Sequence, residues 1–178
     1  MKKNLIISTS PRKSSNSEAL AEAFAAGARE AGHEVELVSL RGKTVQFCRG
    51  CFVCQETQRC VIHDDADSLR QKALKADVLV FATPIYYYEM SGQMKTLLDR
   101  FNPLFPSDYA FRDVYLMTAA AEDEDFVPQR ALSGLEGWVE CFEHAKIAGH
   151  VFMGSVTEAG ENPAHPALQK AFAMGQSV

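Results

Sequence analysis

The chain has 178 residues, of which 47% are hydrophobic, and this length and composition suit one domain, residues 1–178, with a sizeable core. Its formal net charge of -5 excludes a global basic surface for nucleic acid or anionic membrane. No apolar run is long enough to span a bilayer or to form the core of a signal peptide, so we expect a cytoplasmic protein with neither nucleic-acid nor membrane partners.

Predicted strands and helices alternate along the chain. Apolar runs predict strands at 4–8, 35–40, 78–82, 114–119 and 151–156, and helical spacing predicts helices at 18–31, 65–76, 91–101, 128–146 and 166–173. This alternation predicts an α/β fold, a five-stranded parallel sheet in the order 2-1-3-4-5 with helices on both faces. In that order ligands bind at the carboxyl ends of strands 1 and 3, where the winding reverses.

Polar and cationic side chains are concentrated between the first strand and the first helix. A phosphate group is bound by hydroxyls, by backbone N–H groups at a helix N-terminus and by cations. Capping the helix needs only one Ser or Asn, and the loop holds several. The predicted phosphate-binding residues are Ser10, Arg12, Ser14, Asn16 and Ser17. The loop has neither a GxxxxGK[ST] nor a GxGxxG pattern, which favours a monophosphate.

The loop after the third strand offers flat aromatic surfaces. Pro84 stiffens this loop, Tyr86 and Tyr87 are suited to stacking on a planar ring, and Gly92 permits close backbone approach. The predicted ring-binding residues are Pro84, Ile85, Tyr86, Tyr87 and Gly92, with Thr118 and Ala119 from the fourth strand. The alternative is that the tyrosines are ordinary sheet-edge aromatics, as we expect for Tyr88.

No catalytic side chain is predicted. The sequence suggests neither a Ser-His-Asp arrangement nor paired carboxylates. The simplest role for Asp99 and Arg100 is a structural ion pair.

These two segments resemble blocks of the flavodoxin-like NAD(P)H-dependent FMN reductases. Residues 10–17 match the pattern S-P-R-x-x-x-N-[ST], and residues 83–101 match T-P-[VI]-Y...S-G-x-[LM]-K...[LF]-D-R-[FW]. Thr9 differs, since relatives commonly carry Gly there. The resemblance implies bound FMN, NADH or NADPH as electron donor, a quinone, flavin or redox protein as acceptor, and a homodimer or dimer of dimers.

Four of the five cysteines lie close together, with the spacing C-x2-C-x2-C-x5-C. In a reducing cytosol this spacing favours a metal site or redox chemistry over disulfides, and it suits one [4Fe-4S] cube better than tetrahedral zinc. The segment resembles the cysteine motif of the iron-sulfur flavoproteins, a branch of the same superfamily. The cluster ligands implied are Cys48, Cys51, Cys54 and Cys60. The fifth cysteine, Cys141, is expected to be buried and apolar.

Three alternatives remain open from sequence. Many FMN reductase relatives show a similar C-x-G-C-x2-C...C-x-[IV]-x-D-D segment without an established cluster, so the four cysteines are also consistent with reduced thiols. The function that we expect is an FMN-dependent oxidoreductase. The alternative is an electron carrier with FMN and a [4Fe-4S] cluster and no committed small-molecule substrate. A flavin-free regulatory or storage domain would require that the loop before the first helix binds no phosphate.

Overall fold

The computed structural model describes residues 1–178 and contains one parallel sheet of five strands. These strands are β1 (Lys3–Ser8), β2 (Glu34–Ser39), β3 (Val78–Tyr86), β5 (Asp113–Ala119) and β6 (Lys146–Met153). Their order, β2-β1-β3-β5-β6, is the predicted order 2-1-3-4-5, and the predicted α/β class is confirmed. A short strand, β4 (Glu89–Met90), pairs antiparallel with the end of β3. It was not predicted, because two residues carry no periodic signal.

The chain forms six helices, five of which cover the two faces of the sheet. They are α1 (Asn16–Glu30), α2 (Val53–Thr57), α3 (Asp65–Lys75), α4 (Gly92–Arg100), α5 (Gln129–Val139) and α6 (Pro166–Gln176), with a 3-10 turn at Asn102–Leu104. Buried residues of α1 and α6 pack on one face, and those of α3, α4 and α5 pack on the other. None of the helices combines the length and apolar character that crossing a bilayer requires.

The predicted boundaries around β6 are wrong. Helix α5 ends at Val139 rather than near residue 146, and β6 covers Lys146–Met153 rather than 151–156. Strand β6 lies at the edge of the sheet, and its first half alternates between exposed and partly buried residues. Such an edge strand lacks the continuous apolar run by which the central strands were found.

Two glycines allow α1 and α6 to pack closely. A side chain at Gly27 would overlap the backbone carbonyl of Phe172, and one at Gly175 would overlap that of Phe24. Because each helix meets the other's backbone directly, α1 is held firmly on the sheet. Its N-terminus is therefore fixed at the carboxyl end of β1.

Candidate functional site

The loop from Thr9 to Ser15 joins β1 to α1. The Thr9 N–H donates to the Ala82 carbonyl at 2.8 Å, so the start of the loop is fixed to β3. The Ser15 hydroxyl caps α1 by accepting from the Glu18 N–H at 3.2 Å. The other N–H groups of the first turn have no partner within the helix. The helix dipole makes this end favourable for an anion.

A cavity of about 210 Å³ opens at the carboxyl ends of β1, β3 and β5. Its polar side is the loop before α1, and its apolar side is formed by the ends of β3 and β5 with the following loops. Its lining residues are Ser10, Arg12, Ser15, Asn16, Ser17, Pro84, Ile85, Tyr86, Ala119, Ala120, Ala121, Val156, Thr157 and Ala159. One end therefore suits an anion, and the other suits a planar apolar group.

The loop after β6 closes the polar side of this cavity. The Arg12 guanidinium donates to the Thr157 carbonyl at 2.7 Å, and the Asn16 amide donates to the Glu158 carbonyl at 2.9 Å. The Glu158 carboxylate lies 3.4 Å from Arg12 but is exposed to solvent. Such an exposed pair contributes little, so the Arg12 charge remains available to an anion in the cavity.

The β3–β4 hairpin has a strained turn beside this cavity. Tyr87 and Tyr88 both have positive φ, 51° and 64°, where bulky residues rarely occur. The Tyr88 hydroxyl donates to the Glu122 carboxylate at 3.1 Å, and its ring lies 5.8 Å from that of Phe126. These contacts hold the turn in place. Backbone strain of this kind is common where a loop holds a ligand.

A second cavity, of about 310 Å³, adjoins the first along the hairpin. Ile85, Ala120 and Ala121 line both cavities, and Tyr87 and Tyr88 line the second. The joined space is polar at the α1 end and apolar toward the tyrosines. It has the form that FMN requires, since FMN has a phosphate at one end and a planar ring at the other.

The cysteine segment is attached to the sheet by a buried arginine. Arg100, at the end of α4, is 2% exposed and donates to the backbone carbonyls of Gln46 and Ile62, both at 2.9 Å. Gln46 lies two residues before Cys48, the first cysteine of the motif, and Ile62 lies two residues after Cys60, the last one. One side chain therefore holds both ends of the segment.

The four thiols of the motif differ in surroundings. Cys54 is buried, Cys60 is partly buried, and Cys48 and Cys51 are exposed. The pKa of Cys54 is raised, mainly because the thiol is buried. A hydrogen bond from Asn102, whose Nδ2 lies 3.1 Å from the sulfur, lowers this pKa, and the neighbouring Cys60 and Cys48 raise it further.

Backbone N–H groups also point at two of the sulfurs. The Gly50 N–H donates to Cys48 Sγ and the Ile62 N–H donates to Cys60 Sγ, both at 3.4 Å. Such hydrogen bonds stabilise negative charge on sulfur and tune iron-sulfur clusters. No group of three ligating side chains is placed to hold a single metal ion. The four sulfurs fit a cluster in kind and number, although in this conformation they do not converge on one point.

The comparison with protein families decides the assignment. Residues 3–159 match the family model described as NADPH-dependent FMN reductase. The chain belongs to this family.

Several curated relatives of this FMN reductase family member are named iron-sulfur flavoproteins. One from Archaeoglobus fulgidus is 36% identical over 94 residues, covering 53% of this chain and 43% of the relative. One from Methanosarcina thermophila is 27% identical over 152 residues, covering 85% and 80%. The match covers 43% and 51% of the first two relatives, so the chain spans about half of their length.

Solved structures show that the fold is shared with known reductases. An NAD(P)H:quinone oxidoreductase from Methanothermobacter marburgensis aligns with a TM-score of 0.73 at 16% identity, covering 98% of each chain. An azoreductase from Bacillus anthracis aligns with a TM-score of 0.73 at 15% identity, covering 100% of each chain. These neighbours establish the flavodoxin-like architecture.

The structure brings most of the predicted flavin-binding residues to one place. Those lining the first cavity are Ser10, Arg12, Asn16, Ser17, Pro84, Ile85, Tyr86 and Ala119. Tyr87 lines the adjoining cavity and is 97% exposed. Ser14 has a positive φ of 53° and an exposed side chain that lines neither cavity. Gly92 lines a separate cavity with Leu40 and Phe47.

Thr118 lies beneath the site rather than in it. Thr118 is fully buried, and its hydroxyl lies 2.8 Å from His150 Nε2 on the neighbouring strand. Burial lowers the pKa of His150 to about 4, so the imidazole is neutral at neutral pH. This pair joins β5 to β6 behind the cavity.

Two further sequence expectations are wrong. Cys141 is exposed rather than buried. Asp99 does not pair with Arg100, because it lies 2.7 Å from Lys95, one helical turn away, while Arg100 pairs with Asp64.

Sequence reasoning also missed part of the cavity lining. The missed residues are Ser15, Ala121, Val156, Thr157 and Ala159. Ser15 belongs to the same polar run as the predicted residues, so this run was a usable signal. The loop after β6 contributes the backbone carbonyls of Thr157 and Glu158. Backbone contacts of this kind leave no pattern in the side chains of the sequence.

Proposed function

We propose that the protein transfers electrons, through FMN bound in the joined cavities, between NADH, NADPH or a redox protein and an acceptor such as a quinone or a flavin. The observation that carries the proposal is the pair of adjoining cavities, which are polar at the N-terminus of α1 and apolar along the β3–β4 hairpin. FMN bound there would supply hydride acceptance and electron transfer in steps of one or two electrons.

The chain's own groups have separate tasks in this proposal. The first N–H groups of α1, the hydroxyls of Ser10 and Ser17 and the Arg12 cation would hold the phosphate. Pro84 and Tyr86 would position the ring at the end of β3, and the backbone of Ala120 and Ala121 would face its polar edge. No side chain is assigned as an acid or base. The outer ring face would stay open to a nicotinamide or an acceptor.

The activity is tested on the purified flavoprotein. We expect it to oxidise NADH or NADPH under anaerobic conditions at a rate that depends on an added quinone or free flavin. Protein that carries FMN but oxidises neither nucleotide with any of these acceptors would contradict the nicotinamide-dependent form of the proposal. The electron-carrier alternative would then be favoured.

The cysteine motif supports that second candidate function. Four sulfurs, the two N–H donors to sulfur and the buried Arg100 cation would stabilise a negatively charged [4Fe-4S] cluster held by Cys48, Cys51, Cys54 and Cys60. With a cluster present, the protein would suit one-electron exchange with other redox proteins. Iron and sulfide analysis of anaerobically purified protein tests this candidate.

A homodimer, or a dimer of dimers, is the proposed assembly. Tyr87, Phe126 and Tyr86 are 97%, 59% and 42% exposed. The two tyrosines line the joined cavities, and the Phe126 ring lies 5.8 Å from that of Tyr88. Covering these aromatic surfaces with a second copy would remove apolar area from water and shield the ring.

A further inference from the structure

A polar cavity of about 620 Å³, separate from the flavin site, lies between α3 and the end of the cysteine segment. Its volume is within the range of about 300 to 1,000 Å³ that is common for small-molecule sites. It shares no lining residue with either part of the flavin cavity. Only two of its eleven lining residues are hydrophobic, so its ligand must be hydrophilic.

The strongest evidence for a ligand is the environment of Arg70. It lines this cavity, is only 9% exposed, and its Nε atom is buried without a hydrogen-bond partner. It takes part in none of the nine ion pairs of the chain. Buried guanidinium groups are otherwise paired with an anion, because an unpaired buried charge is costly. An anionic ligand in the cavity would supply the counter-charge that the chain itself does not.

The charges around Arg70 point to an anion as well. Arg59 and Lys75 line the same cavity, and Asp67 is its only carboxylate. The Asp67 carboxylate already lies 3.2 Å from His63 Nδ1. Arg59, Arg70 and Lys75 therefore face a single carboxylate, which is already in contact with His63. The net charge of the whole chain is -5. The local field is opposite in sign to that of the whole protein.

We propose that this cavity binds a small molecule that carries a phosphate group. Arg70 would make the deep contact, and the exposed Arg59 and Lys75 would hold the outer oxygens. A phosphate offers more acceptor oxygens and more charge than a carboxylate, which matches three cations better. The space exceeds one phosphate, so a phosphate monoester would fit. The site adjoins Cys60, and bound phosphate would place negative charge beside the cysteine segment.

The direct test is calorimetric titration of FMN-saturated protein with inorganic phosphate. Bound FMN fills the phosphate loop before α1, which leaves the second cavity as the remaining site. The same titration on Arg12→Met protein keeps the result independent of the flavin site. We expect saturable binding at one site in both proteins. Affinity should weaken as salt rises, because the contacts are ionic.

Matched substitutions identify the cavity. Arg70→Met keeps an unbranched apolar stem but removes the guanidinium group and its charge, and it should weaken phosphate binding by about tenfold or more. Arg29→Met removes one exposed cation from α1 and should leave the affinity unchanged. If circular dichroism shows that Arg70→Met is unfolded, Lys75→Gln and Arg59→Gln decide, because both residues are exposed and should each weaken binding several-fold.

Two outcomes would overturn the site. One is the absence of saturable phosphate binding at millimolar concentration, and the other is binding that the cavity variants leave unchanged. Titration with 2′-AMP separates the two sources of phosphate. Tighter binding of 2′-AMP than of phosphate, again lost in Arg70→Met, identifies a phosphate monoester, and equal binding identifies the free anion.

Discussion

Arg100 and Asp64 form a bidentate ion pair in the protein interior, with Nη1–Oδ2 and Nη2–Oδ1 distances of 2.7 and 3.1 Å. Their side chains are 0% and 4% exposed. Asp64 also accepts from the Gln46 N–H at 2.8 Å and caps α3. Burial alone would raise the pKa of Asp64, but the hydrogen bonds from Arg100, Gln46 and Ala66 outweigh it and lower that pKa. The pair thus fixes the cysteine segment to both α3 and α4.

Removing the Asp64 charge should destabilise the protein strongly. Asp64→Asn leaves Arg100 as a buried charge without a counterion, and the free energy of unfolding should fall by about 3 to 5 kcal/mol. Asp99→Asn is the matched control, because its partner Lys95 is exposed on the same helix and the loss should be under about 0.5 kcal/mol. Urea unfolding at pH 7 measures both. Equal losses in the two variants would contradict a dominant role for the buried pair.

His150 should make stability depend on pH below neutrality. The imidazole titrates near 6.5 when exposed and at about 4 in the folded chain. Between these values the unfolded state binds more protons, so stability falls as the pH drops from 6.5 to 4. From pH 7 to pH 5 the free energy of unfolding should fall by about 2 kcal/mol through this group.

Substitution isolates the His150 contribution. His150→Gln removes the titrating group, so its loss of stability between pH 7 and pH 5 should be smaller by that amount. His144→Gln changes an exposed histidine and should keep the dependence of the unmodified protein. A pH dependence unaltered by His150→Gln would show that other groups cause it.

Flavin affinity should depend on the phosphate. Arg12→Met removes a cation that lines the cavity, and FMN affinity should fall by about tenfold to a hundredfold, which corresponds to about 1.5 to 3 kcal/mol for a charge-assisted contact. Riboflavin affinity should not change, since riboflavin has no phosphate. Lys13→Met alters the next residue, which is exposed and lies outside the cavity, and is the control. Fluorescence titration measures the FMN and riboflavin affinities of the unmodified protein and of both variants, and equal binding of FMN and riboflavin to the unmodified protein would refute the assigned phosphate loop.

The parts of the fold that the sequence could predict are those set by local pattern. The continuous apolar run at 78–82 identified the central strand β3, and the alternation of strands and helices identified the sheet order. The turn at Tyr87 and Tyr88 was not predictable, because positive φ opposes the preference of tyrosine and the contact with Glu122 that holds it comes from another strand's loop.

The same distinction applies to the site. Residues predicted from a dense polar run, such as Ser10 and Asn16, do line the cavity. Gly92 was predicted because glycine permits close backbone approach, and Thr118 because its backbone lies at the end of the fourth strand. Gly92 instead lines a separate cavity, and the Thr118 hydroxyl lies 2.8 Å from His150 Nε2. The role of Arg100 depends on partners 36 to 54 residues away, which no local pattern shows.

Assembly should depend on the exposed hairpin turn. Light scattering at micromolar concentration should give at least twice the mass of one chain. Tyr87→Ser removes an almost fully exposed ring and should weaken the assembly, whereas Phe105→Ser, at a 52% exposed residue away from the hairpin, should not. A monomer at that concentration would refute the proposed dimer.

The cysteine segment should carry iron independently of the flavin. If the four thiols hold one cube, anaerobically purified protein should contain about four iron and four sulfide per FMN. Cys54→Ser should lose the iron and its absorbance but keep FMN, because no cysteine of the motif lines either part of the flavin cavity. Cys141→Ser is the control, since Cys141 is exposed and lies outside the motif.

Two kinds of electron acceptor test whether the cluster relays electrons or only supports the structure. One-electron reduction of ferricyanide should fall in Cys54→Ser more than two-electron reduction of a quinone, because only the first would pass through the cluster. Equal loss of both activities with FMN still bound would assign the cluster a structural role. Protein that carries FMN but no iron after anaerobic, iron-supplemented expression would show that the segment holds four reduced thiols, held in place by Arg100 and Asp64.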